Sequence, residues 1–374
     1  MSHKRISSRR KAREGNVETE QPARPIESLS SVTPKWPQIL VFALLLLSFA
    51  LWMAHSCTLL PQYFPSSRNI QNGPAFEVQD VPGKGKGTIA VRHIKQGELL
   101  LREEPLFLLP RETKGSPISL IRKKLSGLSP SKKQEFFDLS HIPPQSHFPE
   151  SSEMSDEIML SKLQTNAIAA GDAVGIFPRT ARLNHGCSAS FNSVYSWRER
   201  EGVLVVHALK AIAPGEELLT TYMDTKKPRA ERRHFLEENY GFTCGCSTCS
   251  LLEPLSKASD DRLTRMTALY SRFASWGHSV IDGKEAIRVA NRIWSIGADE
   301  GYWSERGRLA ADAAHVAAAH HDSVATSSWA RLALKWYSWE LGGDSQQVNE
   351  MNRVISNASS HDAWASRPPM KVGN

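Results

Sequence analysis

Three cysteines, Cys244, Cys246 and Cys249, fall within six residues in a C-x-C-x-x-C run. Thiolates at this spacing can wrap three sides of one metal ion. Zinc binds sulfur at ~2.3 Å in tetrahedral geometry, and its structural sites fill all four positions. The fourth ligand must come from elsewhere in the chain. Only Cys57 and Cys187 remain. Cys57 stands in an apolar stretch, which leaves Cys187 as the candidate. Five cysteines in 374 residues, odd in number and sparse, do not look like a disulfide framework.

The elements that must position these residues can be read from pattern. The chain is 40% hydrophobic and 23% charged, with room for roughly two domains plus appendages. Its net charge is +7, but residues 1–35 alone hold eight Lys/Arg against four Glu, and the rest is nearly balanced at 38 against 35. No concentrated basic face follows, so direct nucleic-acid binding is not expected. From about residue 75 the chain reads as short strands joined by glycine turns. Residues 88–91 and 98–102 flank Lys95-Gln96-Gly97, and 203–208 and 217–222 flank Ala213-Pro214-Gly215-Glu216, so two hairpins are expected. The stretches 94–100 and 212–218 share wording that similar turn chemistry explains. Between the hairpins, 112–165 reads as a polar helical insert, with a helix start at Ser129-Pro130-Ser131. Beyond Cys249 the periodicity is helical at 260–276, 284–297, 305–320 and 327–341. Gly277, Gly297 and Gly342-Gly343 stand as helix ends, and Trp294, Trp329, Trp336 and Trp339 as helix contacts. His315, His320 and His321 are expected to be exposed at a helix end rather than metal ligands.

The N-terminal region differs. Residues 1–35 are polar and read as a disordered basic tail. No Asp, Glu, Lys or Arg occurs from 36 to 67, and 36–60 reaches the ~20 apolar residues that a bilayer helix needs. An uncleaved anchor competes with a signal peptide ending near Ala54-His55-Ser56. The long basic preamble favours the anchor, and a single-pass membrane protein is expected. Without an anchor the expectation is nucleus or cytoplasm.

Around Cys187 the residues Arg182-Leu183-Asn184-His185-Gly186-Cys187 resemble the R-x-x-N-H-x-C signature of SET-domain protein-lysine methyltransferases. Gly215 to Tyr222 is similar to their G-E-E-L-x-x-x-Y strand, the 240–250 cluster to their post-SET cysteines, and 83–107 to the opening G-x-G and hairpin. Four motifs in order over about 75–250 are a specific match; any one alone is weak. The SET and MYND type is the nearest subgroup, although no cysteines remain for a MYND finger. The resemblance implies an α+β fold: a SET domain over 75–225 made of short β-sheets with a pseudoknot, the helical insert, a post-SET zinc region over 226–250 and an all-α region over 251–374.

It also implies residue roles. Lys84, Gly85, Lys86 and Gly87 match the loop that touches S-adenosylmethionine, and Asn166, Asn184, His185, Tyr222 and Phe242 match further cofactor contacts. Tyr222 matches the catalytic tyrosine, with Tyr240 beside it in the lysine channel. Cys187, Cys244, Cys246 and Cys249 match the zinc ligands. The implied reaction moves a methyl group to a lysine of a protein substrate, histone or non-histone. In-line displacement needs amine and sulfonium aligned end to end, and a desolvated aromatic channel lowers the lysine pKa. The competing reading is a non-catalytic SET-type zinc scaffold. After Cys187 the family commonly has Pro-Asn, whereas this chain reads Ser188-Ala189-Ser190-Phe191-Asn192. A basic flank before the apolar run places the domain on the non-cytosolic side, while reduced thiolates argue for the opposite face.

Overall fold

The computed structural model describes residues 73–112, 115–143 and 156–373. The expectations for 1–35, 36–60 and Cys57 lie outside the described residues. The described part begins with β1 (Phe76–Val81) and β2 (Gly85–Ala90), an antiparallel pair. The turn between them needs positive φ at Gly83 (72°) and Gly85 (70°), which glycine adopts without steric cost. β3 (Leu99–Glu103) and β4 (Phe107–Pro110) follow, then the insert helices α1 (Pro117–Ser126), α2 (Pro130–Phe137) and α3 (Asp156–Asn166). α2 starts where the sequence places it, with the Ser129 hydroxyl accepting from the Lys132 amide and Pro130 in the first turn. β5 (Ala167–Ala170) and β6 (Ala173–Ile176) close a sheet of order β4-β6-β5.

A 3-10 turn over Thr180–Arg182 leads into β7 (Asn184–His185). Glu103 fixes that turn, accepting from the Arg179 amide (2.8 Å), the Thr180 amide (2.9 Å) and the Thr180 hydroxyl (2.7 Å). β8 (Ser193–Arg198), β9 (Val203–Ala208) and β10 (Leu219–Thr220) complete the strands. β10 lies parallel to β7, pairing Leu219 with Asn184 and Thr220 with His185.

Neither expected hairpin forms. All six residues of β9 are buried, so it needs a neighbour on each edge, and it takes β3 and β8 in a β3-β9-β8 sheet. β2 instead meets the chain at Glu217, with the Leu218 amide donating to Thr88 at 2.8 Å. The look-alike stretches therefore face each other. Ile94 and Ile212 exchange both backbone bonds, at 2.9 and 3.0 Å. Each stretch makes the same turn, with Gly97 at φ 80° and Gly215 at φ 83°, closed by Glu98 and Glu216 carboxylates on the amides of Lys95 and Ala213.

Helix α4 (Arg229–Tyr240) precedes the cysteine loop. Beyond it come α5 (Glu253–Ala274), α6 (Gly283–Glu300), α7 (Arg306–Ala319), α8 (Ser323–Glu340) and α9 (Gln346–Ser356). Small residues on α7 and α8, Ala310, Ala313, Ala314, Ala317, Ala330 and Ala333, are fully buried and let these helices approach closely. Trp329 and Trp336 fill the core as expected. Gly297 is not a cap. α6 runs on to Glu300, and Gly301 at φ 70° ends it. α9 lies beyond the last helix expected from periodicity; Ser345 caps it through the Val348 amide, and Val348, Met351 and Val354 form its buried face. His315 and His321 are exposed, but His320 is buried, with Nδ1 at 2.9 Å from the Pro368 carbonyl oxygen and Nε2 accepting from Trp276 Nε1.

The expected membrane anchorage and membrane location are corrected here. Among the described residues no helix is long and apolar enough to cross a membrane. The longest, α5, carries Glu253, Lys257, Asp260, Asp261, Arg262, Arg265 and Arg272, and desolvating that many charges in a bilayer is prohibitive.

Candidate active site

Cys187, Cys244, Cys246 and Cys249 converge, their sulfur atoms all within 4.8 Å of one another, and all four residues are buried. Cys187 Sγ lies 3.6 Å from Cys249 Sγ and 4.0 Å from Cys244 Sγ. A tetrahedron of sulfurs ~2.3 Å from one ion has edges of about 3.8 Å, so the residues fit zinc. Metal binding takes the cysteines as thiolates, so a divalent ion displaces their protons as it binds. The surrounding groups suit a thiolate-rich site. The Cys187 amide donates to Cys246 Sγ, and the buried Arg232 guanidinium on α4 approaches Cys249 Sγ at 3.9 Å. Arg233 binds the carbonyls of Cys244 and Cys249 at 3.1 Å each. Such outer partners orient ligands and offset the excess negative charge.

His185 links this cluster to the neighbouring cleft. Its Nδ1 accepts the Tyr222 amide at 3.1 Å, so Nε2 carries the proton and faces Cys187 Sγ at 3.1 Å. Burial pushes the imidazole down to about 4, which keeps it neutral.

The cleft has a volume of about 570 Å³ and is lined by Lys84, Lys86, Asn166, Asn184, His185, Tyr222, Tyr240, Phe242, Cys244 and Cys246, among others. Among the described residues no Asp or Glu lines it. One end, at the β1–β2 turn, carries Lys84 and Lys86, each ion-paired, to Glu217 at 2.5 Å and to Asp80 at 2.9 Å; the other is aromatic, with Tyr222 and Tyr240 rings 4.9 Å apart and Phe242 6.5 Å from Tyr240. The Tyr222 hydroxyl donates to the Leu183 carbonyl at 2.8 Å. Burial pushes its phenol up, as it does those of Tyr240 and Tyr195, so all three are protonated donors at neutral pH.

Gly85 and Gly87, expected as cofactor contacts, are not among the residues that line the cleft. A Cβ at Gly87 would stand 2.5 Å from Val81 Cγ2 and 2.8 Å from Asn184 Nδ2, so only glycine fits. Asn166 donates both amide hydrogens, to Ser140 and Lys162 carbonyls at 2.7 Å, and what it offers a ligand is Oδ1. Asn184 likewise spends Nδ2 on Glu217 Oε1 (2.8 Å) and the Lys86 carbonyl (3.3 Å).

Two contributors escaped the sequence reading. Glu217 takes both Asn184 and, at 2.5 Å, the Lys84 ammonium; its place in the G-E-E-L run was the available signal. Tyr195 lines the cleft from β8, and nothing local distinguishes it from a packing tyrosine.

Residues 85–223 match the family model of the SET domain. The chain is 28% identical over 288 residues to the histone-lysine N-methyltransferase set5 of Schizosaccharomyces pombe, covering 76% of this chain and 85% of that protein. It is 38% identical over 78 residues to the N-lysine methyltransferase SMYD2 of Gallus gallus, covering 21% of this chain and 17% of the relative. A solved SET domain of LSMT bound to lysine and AdoHcy overlaps 78% of this chain and 88% of that one, with 12% identity and a TM-score of 0.33. Residues 85–223 thus carry the SET-domain match, within a mixed α+β fold that has a helical C-terminal region.

Proposed function

We propose that the protein is an S-adenosylmethionine-dependent protein-lysine N-methyltransferase. The observation that carries this reading is the cleft shared by Asn184, His185, Tyr222, Tyr240 and Phe242, polar at the β1–β2 turn and aromatic at the other end. Bound S-adenosylmethionine supplies a methyl group activated on a sulfonium. In this reading Lys84 and Lys86 would exchange their Glu217 and Asp80 partners for its carboxylate, and Asn166 Oδ1 and Asn184 Oδ1, whose Nδ2 atoms are already bonded, would accept from a ligand's N–H groups. Phe242 walls the same cleft.

No Asp or Glu among the described residues lines the cleft to take a proton, so in this reading the substrate amine loses its proton before or on entry. Desolvation between Tyr222, Tyr240 and Tyr195 favours the neutral amine, and the protonated Tyr222 and Tyr240 hydroxyls orient it. In this reading the four cysteines bind zinc structurally and fix Tyr222 through His185.

A second groove of about 770 Å³ lies between α3 and α4 and shares Thr165 and Tyr240 with the cleft. Its described lining includes Glu157 and Glu238, the latter 3.3 Å from His234. Histone and non-histone proteins are both to be tested. The assay is tritiated-methyl incorporation by the purified chain into histones and a cell extract, followed by identification of the labelled side chain. Label on a residue other than lysine would overturn the assignment.

A further inference from the structure

After Cys187 the residues Ser188–Ser190 form a 3-10 turn. Asn192 just beyond it is locked to β10 on both sides, Oδ1 accepting the Leu219 amide (2.8 Å) and Nδ2 donating to the Glu217 carbonyl (2.9 Å). The turn therefore bulges out without disturbing the strand. Ser188 holds φ 42°, a conformation that a residue with a side chain keeps only where its surroundings force it.

What forces it comes from the helical region. The Ser188 hydroxyl donates to Glu300 Oε1 at 2.6 Å. The Glu300 side chain is 2% exposed and also accepts from the Ser259 hydroxyl (2.6 Å) and Arg262 Nε (2.8 Å) on α5. Gly301 follows at once, and a Cβ there would stand 3.3 Å from Ala189 Cβ. On its other side the turn holds the cysteine loop. The Ser190 hydroxyl meets Ser247 and Thr248 hydroxyls at 2.8 Å and accepts the Thr248 amide at 2.9 Å. Thr248 Oγ1 in turn donates to the Cys187 carbonyl at 3.1 Å.

We propose that Glu300 is a positioning residue for the metal site. Through Ser188 it holds the Cys187 thiolate against the Cys244–Cys249 loop from the helical region. Cys187 is the ligand distant in sequence, and its peptide neighbour is in a strained conformation. Removing the carboxylate lets Ser188 relax and Cys187 swing from the ion. A buried anion with a guanidinium partner is an anchor that packing alone does not replace.

The test uses the full chain loaded with zinc and a chromophoric chelator, reading the rate of metal release. Glu300→Gln and Ser188→Gly are each expected to release zinc about tenfold faster than wild type, the scale of outer-partner effects on metal sites. Ser188→Gly keeps the fold, because glycine accepts positive φ. Val354→Ala, fully buried on α9 of the helical region, serves as the control and is expected to release zinc at the wild-type rate. Wild-type release from both test variants would overturn the proposal. So would equal acceleration in Val354→Ala, since the effect would then be general loosening. A second arm rests on the proposed methyl transfer: loss of turnover in Ser188→Gly should be rescued by excess zinc. The zinc arm does not depend on that activity, so the two readings fail separately.

Discussion

Replacing Tyr222 by phenylalanine removes one oxygen and leaves the ring. That oxygen donates to the Leu183 carbonyl at 2.8 Å. The ring sits 4.9 Å from Tyr240 and 5.3 Å from His185, and these contacts survive. The stability cost is therefore one unpaired carbonyl, roughly 1–2 kcal/mol. In a unit of this size that lowers Tm by ~2–6 °C. The imidazole stays in place, because it accepts the backbone amide of residue 222 rather than the hydroxyl. Cofactor affinity is expected to hold. Methyl transfer is expected to fall ~10²-fold or more, the scale of cost when a reacting group loses its alignment. Calorimetry with S-adenosylmethionine, a melting curve and methyl incorporation on one preparation separate the three effects. Wild-type turnover in the variant would refute the role given to the hydroxyl. A loss of turnover that merely follows lost cofactor binding would do so as well.

Cys187→Ser is expected to reduce zinc from one ion per chain towards none by elemental analysis, with a lowered Tm, because metal binding is coupled to folding. Gly87→Ala should push the Asn184 amide aside and weaken cofactor binding, at a stability cost of ~1–3 kcal/mol from overpacking; calorimetry and urea midpoints read the two parts. Burial, with Arg198 adjacent, holds His207 down at about 4 from 6.5. Its folded pKa is depressed, so stability is full above pH 6.5 and declines as pH falls towards 4, by ~2–3 kcal/mol. His207→Leu should flatten that part of the pH profile, and an unchanged urea-midpoint slope would count against it.

The cleft was legible where its residues belong to contiguous motifs. Arg182 to Cys187, Gly215 to Tyr222 and the cysteine loop each carry a spacing that states its chemistry, and the structure brings all three together. Pairing was less legible. Gly97 and Gly215 report where the chain reverses but not which strand it meets next, and the burial of both faces of β9 decided that. Tyr195, Glu103 and Glu217 acquire their places only through contacts 30 to 130 residues away in sequence. The Ser188–Ser190 departure had no sequence-level meaning until Glu300 stood beside it. An apolar run such as 36–60 states a length and a hydropathy. The described helices supply nothing that spans a bilayer.

The central claim is that the cleft at Asn184, His185 and Tyr222 holds S-adenosylmethionine. Titrating the zinc-loaded wild-type chain with S-adenosylmethionine in a calorimeter tests it most directly. Saturable binding at one site per chain, abolished or strongly weakened by Asn184→Ala and retained by Tyr222→Phe, is the predicted result. No binding to a folded, zinc-loaded wild type, or equal binding to the Asn184→Ala variant, would contradict it.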